Sequence, residues 1–101
     1  GNAQMQQLMR QAQKMQEEMA KAQEELENAE IEGESGGGLV KVVVNGKKIV
    51  SSITISPNAV DPDDMEMLED LIIAALNSAY EEADELYQEK MGKFGNAGGM
   101  F

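Results

Sequence analysis

The chain has no cysteine, no histidine and no tryptophan among its 101 residues. Without cysteine there is no disulfide framework and no thiolate nucleophile, which fits a reducing compartment. Without histidine the commonest general base and the commonest metal ligand are missing. Nucleophile–base pairs of the Ser-His or Cys-His kind are therefore excluded. Adjacent acids such as Asp63 with Asp64, or Glu81 with Glu82, point to different sides of a helix and do not converge as an acid/base pair. No catalytic residue, metal set or cofactor is nominated, and the chain is not read as an enzyme. Aromatic residues make up 4% of the chain and there are two prolines, against eight methionines. Its apolar surface is thus built from flexible side chains that suit helix–helix contacts. No apolar run approaches the ~20 residues of a membrane span, and no charged-then-apolar leader precedes the first helical stretch. The expectation is a cytoplasmic protein with no membrane partner. Gly1-Asn2 in place of an initiator Met points to a processed or trimmed chain.

Positive charge is scarce: eight Lys and Arg stand against nineteen Asp and Glu, a net charge of -11. Taken as a whole, such a chain repels a polyanion. The distribution softens that. Three cations face six acids in residues 1–30, three face two in residues 31–60, and two face eleven in residues 61–101. Residues 1–16 carry Arg10 and Lys14 with no acid, and residues 90–101 carry Lys90 and Lys93 with no acid. Both ends of the chain are locally basic.

The first long stretch, about residues 3–29, consists of good helix formers without Gly or Pro. Its apolar residues recur in steps of three and four at Met5, Leu8, Ala12, Met15, Met19, Ala22, Leu26 and Ala29, a heptad seam. At 1.5 Å per residue the helix spans about 38 Å, too long for a small sheet to cover. Part of the seam, taken as Met5, Leu8, Ala12, Met15, Met19 and Leu26, is expected to meet another helix, and a core-facing role accounts for the half nearest the sheet.

Residues 30–56 read as a sheet. Ala29 to Ser35 is a weak edge strand with acids at Glu30, Glu32 and Glu34. Gly36-Gly37-Gly38 folds it back; no Gly-Lys-Ser/Thr follows and no helix opens there, so a phosphate cradle is set aside. Val40 to Val44 is the clearest strand, and Asn45-Gly46 predicts a two-residue type I′ hairpin pairing Val44 with Lys47, Val42 with Ile49 and Val40 with Ser51. That register puts Val40, Val42, Val44, Ile49, Ile53 and Ile55 on a core face. Lys41, Val43, Lys48, Val50, Ser52 and Thr54 fall on the other. Lys41, Lys47 and Lys48 read as solubilising rather than phosphate-binding.

Pro57 ends the third strand. Asp61-Pro62-Asp63-Asp64 then reads as a helix start, Asp61 capping and Pro62 in the first position, because a calcium loop's spaced ligands and central Gly are absent. The helix, about residues 62–91, has a broad apolar stripe through Leu68, Ile72, Ala75, Ala79 and Ala83 and an acidic face at Glu81, Glu82, Asp84, Glu85 and Glu89. Gly92 and Gly95 end it, and residues 92–101 read as a mobile tail.

These elements define one α+β domain over residues 1–101, ordered helix, three-stranded antiparallel sheet, helix. Helix 1 enters the sheet at its C-terminus and helix 2 leaves it at its N-terminus, so the two can run antiparallel with their free ends together. The expected assembly is a two-fold homodimer with projecting helical arms tipped by basic residues. Arg10, Lys14, Lys21, Lys90 and Lys93 are nominated as DNA contacts from charge placement alone.

The stretches GGGLVKVVVNGKKIVSSITISP (residues 36–57) and DPDDMEMLEDLIIAALNSAYEEADELYQEKM (residues 61–91), after a Met- and Gln-rich first helix, resemble the YbaB/EbfC family of bacterial nucleoid-associated proteins over nearly the full length. The combination of glycine triplet, Asn-Gly hairpin and acidic helix start is specific, whereas no single piece is. The resemblance implies a small tweezer-like homodimer, located in the cytoplasm and nucleoid, that binds DNA through backbone and shape more than through bases. Its role would lie in nucleoid organisation or gene regulation, without catalysis. The alternative is an adaptor whose Met-rich seam or acidic helix face binds other proteins of DNA metabolism, such as repair or replication complexes.

Overall fold

The computed structural model describes residues 1–98. A long helix α1 (Asn2–Asn28) leads into strands β1 (Ile31–Ser35), β2 (Val40–Val44) and β3 (Val50–Ile55). A 3-10 turn at Pro57–Ala59 follows, then helix α2 (Met65–Met91) and a 3-10 segment, Gly92–Gly98. The sheet is antiparallel in the order β1-β2-β3. The expected order of helix, three strands and helix holds, and β1 is an edge strand as its alternating acids implied.

The core forms where α2 lies on β1 and β2. Ile31, Val40, Val42 and Val44 alternate along their strands with exposed Glu32 and Lys41 and half-buried Val43, so one face of the pleat is apolar. Above it α2 buries Leu68, Ala75, Ala79 and Ala83, the three alanines at four-residue spacing forming a strip of small side chains. The helix backbone therefore comes close to the sheet, and closest at Gly33, where a Cβ would lie 2.7 Å from that of Ala79. Ser35 fixes the position along the strand by donating its Oγ hydrogen to the Leu71 carbonyl at 2.6 Å. Beyond it the glycine triplet turns the chain with φ of 61°, 68° and 95°, values that disfavour a side chain.

Two expectations about the sheet are corrected. The hairpin after Val44 is not a two-residue type I′ turn: Lys48 N donates to Asn45 O at 3.1 Å and Asn45 N to Ile49 O at 2.9 Å, leaving a three-residue loop. Lys48, at φ 64°, takes the left-handed position that normally follows a type I turn in such loops. Gly46 has no positive φ; a Cβ there would meet the Leu26 carbonyl oxygen at 2.9 Å, while its N–H donates to that oxygen at 2.7 Å. The glycine is fixed by close approach to α1, whose terminal carbonyl it satisfies. Consequently Val44 pairs with Val50, Val42 with Ile53 and Val40 with Ile55, and Ser51 is the extra residue of a bulge.

The predicted core face is also only partly covered. Val40, Val42 and Val44 are fully buried, whereas Ile53 and Ile55 opposite them are 46% and 38% exposed and Ile49 is exposed in the loop. The reason is width: α2 covers β1 and β2, and every residue of β3 is exposed.

At the start of α2 the cap is Asp64, not Asp61: its side chain accepts from Met67 N at 3.2 Å. Asp61 instead closes the turn before it, accepting from Asp63 N at 2.9 Å, so Pro62 precedes the helix rather than opening it. At the other end Gly92 keeps helical angles, and the break falls at Gly95, φ 63°. Residues 92–95 are not a free tail, because Phe94 packs against Ala22, Leu26 and Met91. Residues 99–101 of the predicted tail lie outside the described residues.

The close approach of α2 to β1 makes a testable demand. Ala79→Leu should push α2 off Gly33 and lower the unfolding free energy by about 1–3 kcal/mol. Ala74→Leu, at an exposed position of the same helix, should stay within about 0.5 kcal/mol of the parent. Chemical denaturation compares the two.

Candidate nucleic-acid interface

α1 is held at one end. Leu26 is fully buried and Ala22 nearly so, both against Met91, with Met19, Leu86, Tyr87 and Phe94 packed around them. The hairpin tip completes the anchor: Asn45 Nδ2 donates to the Glu27 carbonyl at 3.2 Å, and Lys47 Nζ meets Glu27 Oε1 at 3.0 Å. From here α2 ascends as α1 descends, pairing Lys90 with Glu25 at 2.7 Å and Lys93 with Glu18 at 4.0 Å. The helices thus run antiparallel at this end, as topology required.

Beyond the anchor, residues 1–18 are all exposed. This is an arm of about 26 Å at 1.5 Å per residue, and it accounts for much of the 75 Å length of a molecule 19 by 16 Å in section. Arg10 and Lys14 stand on it. Lys90 and Lys93 do not share its tip; they sit at its base, engaged with acids of α1. Of the predicted seam, Leu26 is buried within its own chain and Met19 is half-buried, while Met5, Leu8, Ala12 and Met15 are exposed.

The base of the arm is a clasp of ion pairs. The hydrogen bond and charge of Lys90 hold the Glu25 carboxyl below the ordinary carboxylate range, and Glu25 in turn raises Lys90. Lys93 lies 5.2 Å from the centre of the Phe94 ring. Lys47 and Lys48 pair with Glu27 and Asp84, and they line a groove of about 550 Å³ with Gln23, Tyr87 and Gln88. Among the described residues, Arg10, Lys14, Lys21 and Lys41 have no ion pair. Arg10, Lys14 and Lys21 fall within about 40° of one another around α1, a basic stripe shared with Glu17. Charge placement nominated the five cations and could not separate paired from unpaired ones, because Glu18 and Glu25 lie far along the chain from their partners.

A one-sided helical arm on a three-stranded sheet defines the structural class. An uncharacterized protein from Helicobacter pylori shares the fold, with a TM-score of 0.75 over 88% of this chain and 94% of that one, at 24% identity. The chain belongs to the YbaB/EbfC DNA-binding family, whose model matches residues 1–100. It is 59% identical to a nucleoid-associated protein of Staphylococcus carnosus (strain TM300), over 92% of this chain and 89% of that protein. It is 54% identical to one of Clostridium botulinum (strain Eklund 17B / Type B), over 100% and 91%. The family is one of DNA-binding proteins rather than enzymes. Among the described residues, no helix is long and apolar enough to cross a membrane.

The clasp predicts a titration. Because Glu25 is depressed, its contribution is full above the unfolded-state value and is lost as pH falls through the lowered folded one. Lys90 is raised, so its contribution is full below the unfolded-state value and is lost as pH rises through the raised one. The clasp is closed across neutral pH. In an NMR titration the Glu25 carboxyl carbon should show a midpoint below the ordinary Glu value, and Lys90→Gln should return it.

Proposed function

We propose that this is a nucleoid-associated protein that works as a homodimer and holds DNA by phosphate contacts from α1, reading backbone and shape more than bases. The observation that carries the DNA contact is the separation of cations: the arm bears Arg10 and Lys14 unpaired, while the lysines at its base are engaged with carboxylates. Arginine and lysine on an exposed helix suit phosphates and carry no base code in themselves. The exposed acids of α2, Glu81, Glu82, Glu85 and Glu89, repel a polyanion from the body and favour its approach to the arm. The residues offer no nucleophile–base pair, and none of this requires catalysis.

The dimer reading rests on β3. Val50, Ile53 and Ile55 lie opposite the most buried residues of the sheet yet remain exposed, on a strand whose outer edge pairs with no other strand among the described residues. An apolar edge strand of this kind favours pairing with another chain. A second copy offers the same surface, and a two-fold axis beside β3 satisfies both. Such a dimer carries two arms. Its place in the cell would be the nucleoid.

Two outcomes test this. Arg10→Gln with Lys14→Gln should weaken DNA binding roughly tenfold at low salt and flatten the slope of log affinity against log salt by about one for each phosphate that is no longer neutralised. Lys90→Gln should do much less, and equal effects from both would remove the arm assignment. Ile53→Asp should convert the dimer to a monomer in sedimentation equilibrium without unfolding it, since position 53 is exposed within one chain.

A further inference from the structure

Asn45-Gly46 does not form the turn that its sequence suggests, and neither the arm nor the sheet uses its chemistry. Gly46 is glycine because a Cβ there would meet the Leu26 carbonyl oxygen at 2.9 Å. That requirement has a second effect. With no side chain to shield it, the Gly46 nitrogen can approach the side-chain amide of the residue before it. The other asparagines, Asn2, Asn28, Asn58, Asn77 and Asn96, precede alanine or serine. Asn45 is therefore the asparagine of this chain most open to attack by its own neighbour. In the folded chain every reacting group is held. The Gly46 N–H donates to the Leu26 carbonyl at 2.7 Å. Asn45 Oδ1 accepts from Lys47 N at 2.8 Å and from Ile49 N at 3.0 Å, and Nδ2 donates to the Glu27 carbonyl at 3.2 Å. Two of these bonds, from Gly46 N and from Asn45 Nδ2, are also the ones that join the hairpin tip to α1.

We propose that Asn45 is a modification site, deamidated when the hairpin tip lifts from α1, and that the product no longer closes the anchor. In the open state the Gly46 backbone nitrogen attacks Asn45 Cγ and forms the new C–N bond of a cyclic imide. The Cγ–Nδ2 bond breaks, and Nδ2 leaves as ammonia with the hydrogen that Gly46 gave up. Water then opens the imide at either carbonyl, leaving aspartate or isoaspartate at position 45. Aspartate keeps an oxygen to accept from Lys47 N and Ile49 N, so the loop survives. It has no hydrogen to give the Glu27 carbonyl, and its charge stands at the C-terminal end of α1, the negative end of the helix dipole. Lys47 is already engaged by Glu27 at 3.0 Å. Isoaspartate adds a methylene to the backbone between positions 45 and 46 and displaces Gly46 N from the Leu26 carbonyl. Either product loosens the anchor and spares the core of α2 on β1 and β2, and loss of ammonia makes the change one-way. The site bears on how long the arm stays fixed, and it depends on neither DNA binding nor the dimer.

Peptide mapping at neutral pH follows the conversion, since the product peptide carries an acid in place of an amide. In denaturant Asn45 should convert faster than any other asparagine of the chain. In the folded chain its rate should fall by about tenfold or more, in proportion to the open fraction that amide hydrogen exchange reports at Gly46. Equal rates in the folded and denatured parent overturn the proposal. Leu26→Ala removes a side chain from the small anchor cluster and none from the α2–sheet core, and should raise the folded rate about tenfold. If that variant folds and converts at the parent's rate, the anchor does not gate the reaction and the proposal fails; if it does not fold, the parent's two rates decide. The consequence is read separately. Asn45→Asp should speed hydrogen exchange at Gly46 about tenfold and leave Val42 and Val44 at the parent's rates. Unchanged exchange at Gly46 overturns the loosening, and equal acceleration at Val42 and Val44 overturns its confinement to the anchor.

Discussion

The fold turns on how close α2 can come to β1. Ala75 and Ala79 face Gly33, and with so little side chain between them the helix backbone rests almost on the strand. Larger residues would lift the helix and let it ride across all three strands. At this depth it is committed to β1 and β2, and the Ser35–Leu71 hydrogen bond fixes where along the strand it sits. The third strand is left with valine and isoleucine outside the cover of α2. One close approach therefore shapes both the core and the surface outside it. An apolar face of this size is the expected result of a core too narrow for its sheet, and a second copy is the simplest cover for it.

The anchor of α1 follows the same logic on a smaller scale. Gly46 lets the hairpin tip reach the last turn of α1 and satisfy the Leu26 carbonyl. Asn45 ties its own loop with two bonds from backbone amides, Lys47 N at 2.8 Å and Ile49 N at 3.0 Å, and gives its amide hydrogen to Glu27 O. With the hairpin on one side and Met91 on the other, the C-terminal end of α1 is fixed and the remaining helix is cantilevered. A helix that is held at one end and apolar along one side presents that side to whatever it meets.

Element types and their order were legible because periodicity speaks for each separately. The heptad of α1, the alternation through Val40, Val42 and Val44 and the Leu68–Ala83 stripe are local patterns that survive any tertiary arrangement. What failed was decided by packing between segments. Asn45-Gly46 carries the strongest short hairpin signal, yet Gly46 is glycine for the sake of Leu26, and the left-handed position fell to Lys48. Asp61 and Asp64 are equally good caps by type, and only the turn closed by Asp61 decides that Asp64 takes the helix. Ile53 and Ile55 take the face that the sequence assigned them, but Val50, assigned to the other face, pairs with Val44 because the bulge at Ser51 shifts the register, and register does not say whether a helix is wide enough to cover the strand. Among the nominated cations, Lys90 and Lys93 are held by Glu25 and Glu18, pairings across 65 and 75 positions of chain that no local spacing reveals.

Net charge and DNA binding are reconciled by distance. At physiological ionic strength a charge is screened beyond about 8 Å. Arg10 is eight residues from Glu18, about 12 Å along the helix, so the clasp and the acidic body lie largely outside its electrostatic reach. Lys14 is closer to Glu17 and Glu18 and is partly offset by them. A compact molecule with the same composition would place every cation within reach of several carboxylates and present a phosphate chain with net repulsion at all points. Extension changes that without changing the composition: the arm carries Arg10 past the screening distance, and the lysines left behind neutralise the acids at its base instead. The length of α1 is then an electrostatic requirement as much as a structural one, and shortening the arm would bring Arg10 back into the field that the present helix lets it escape.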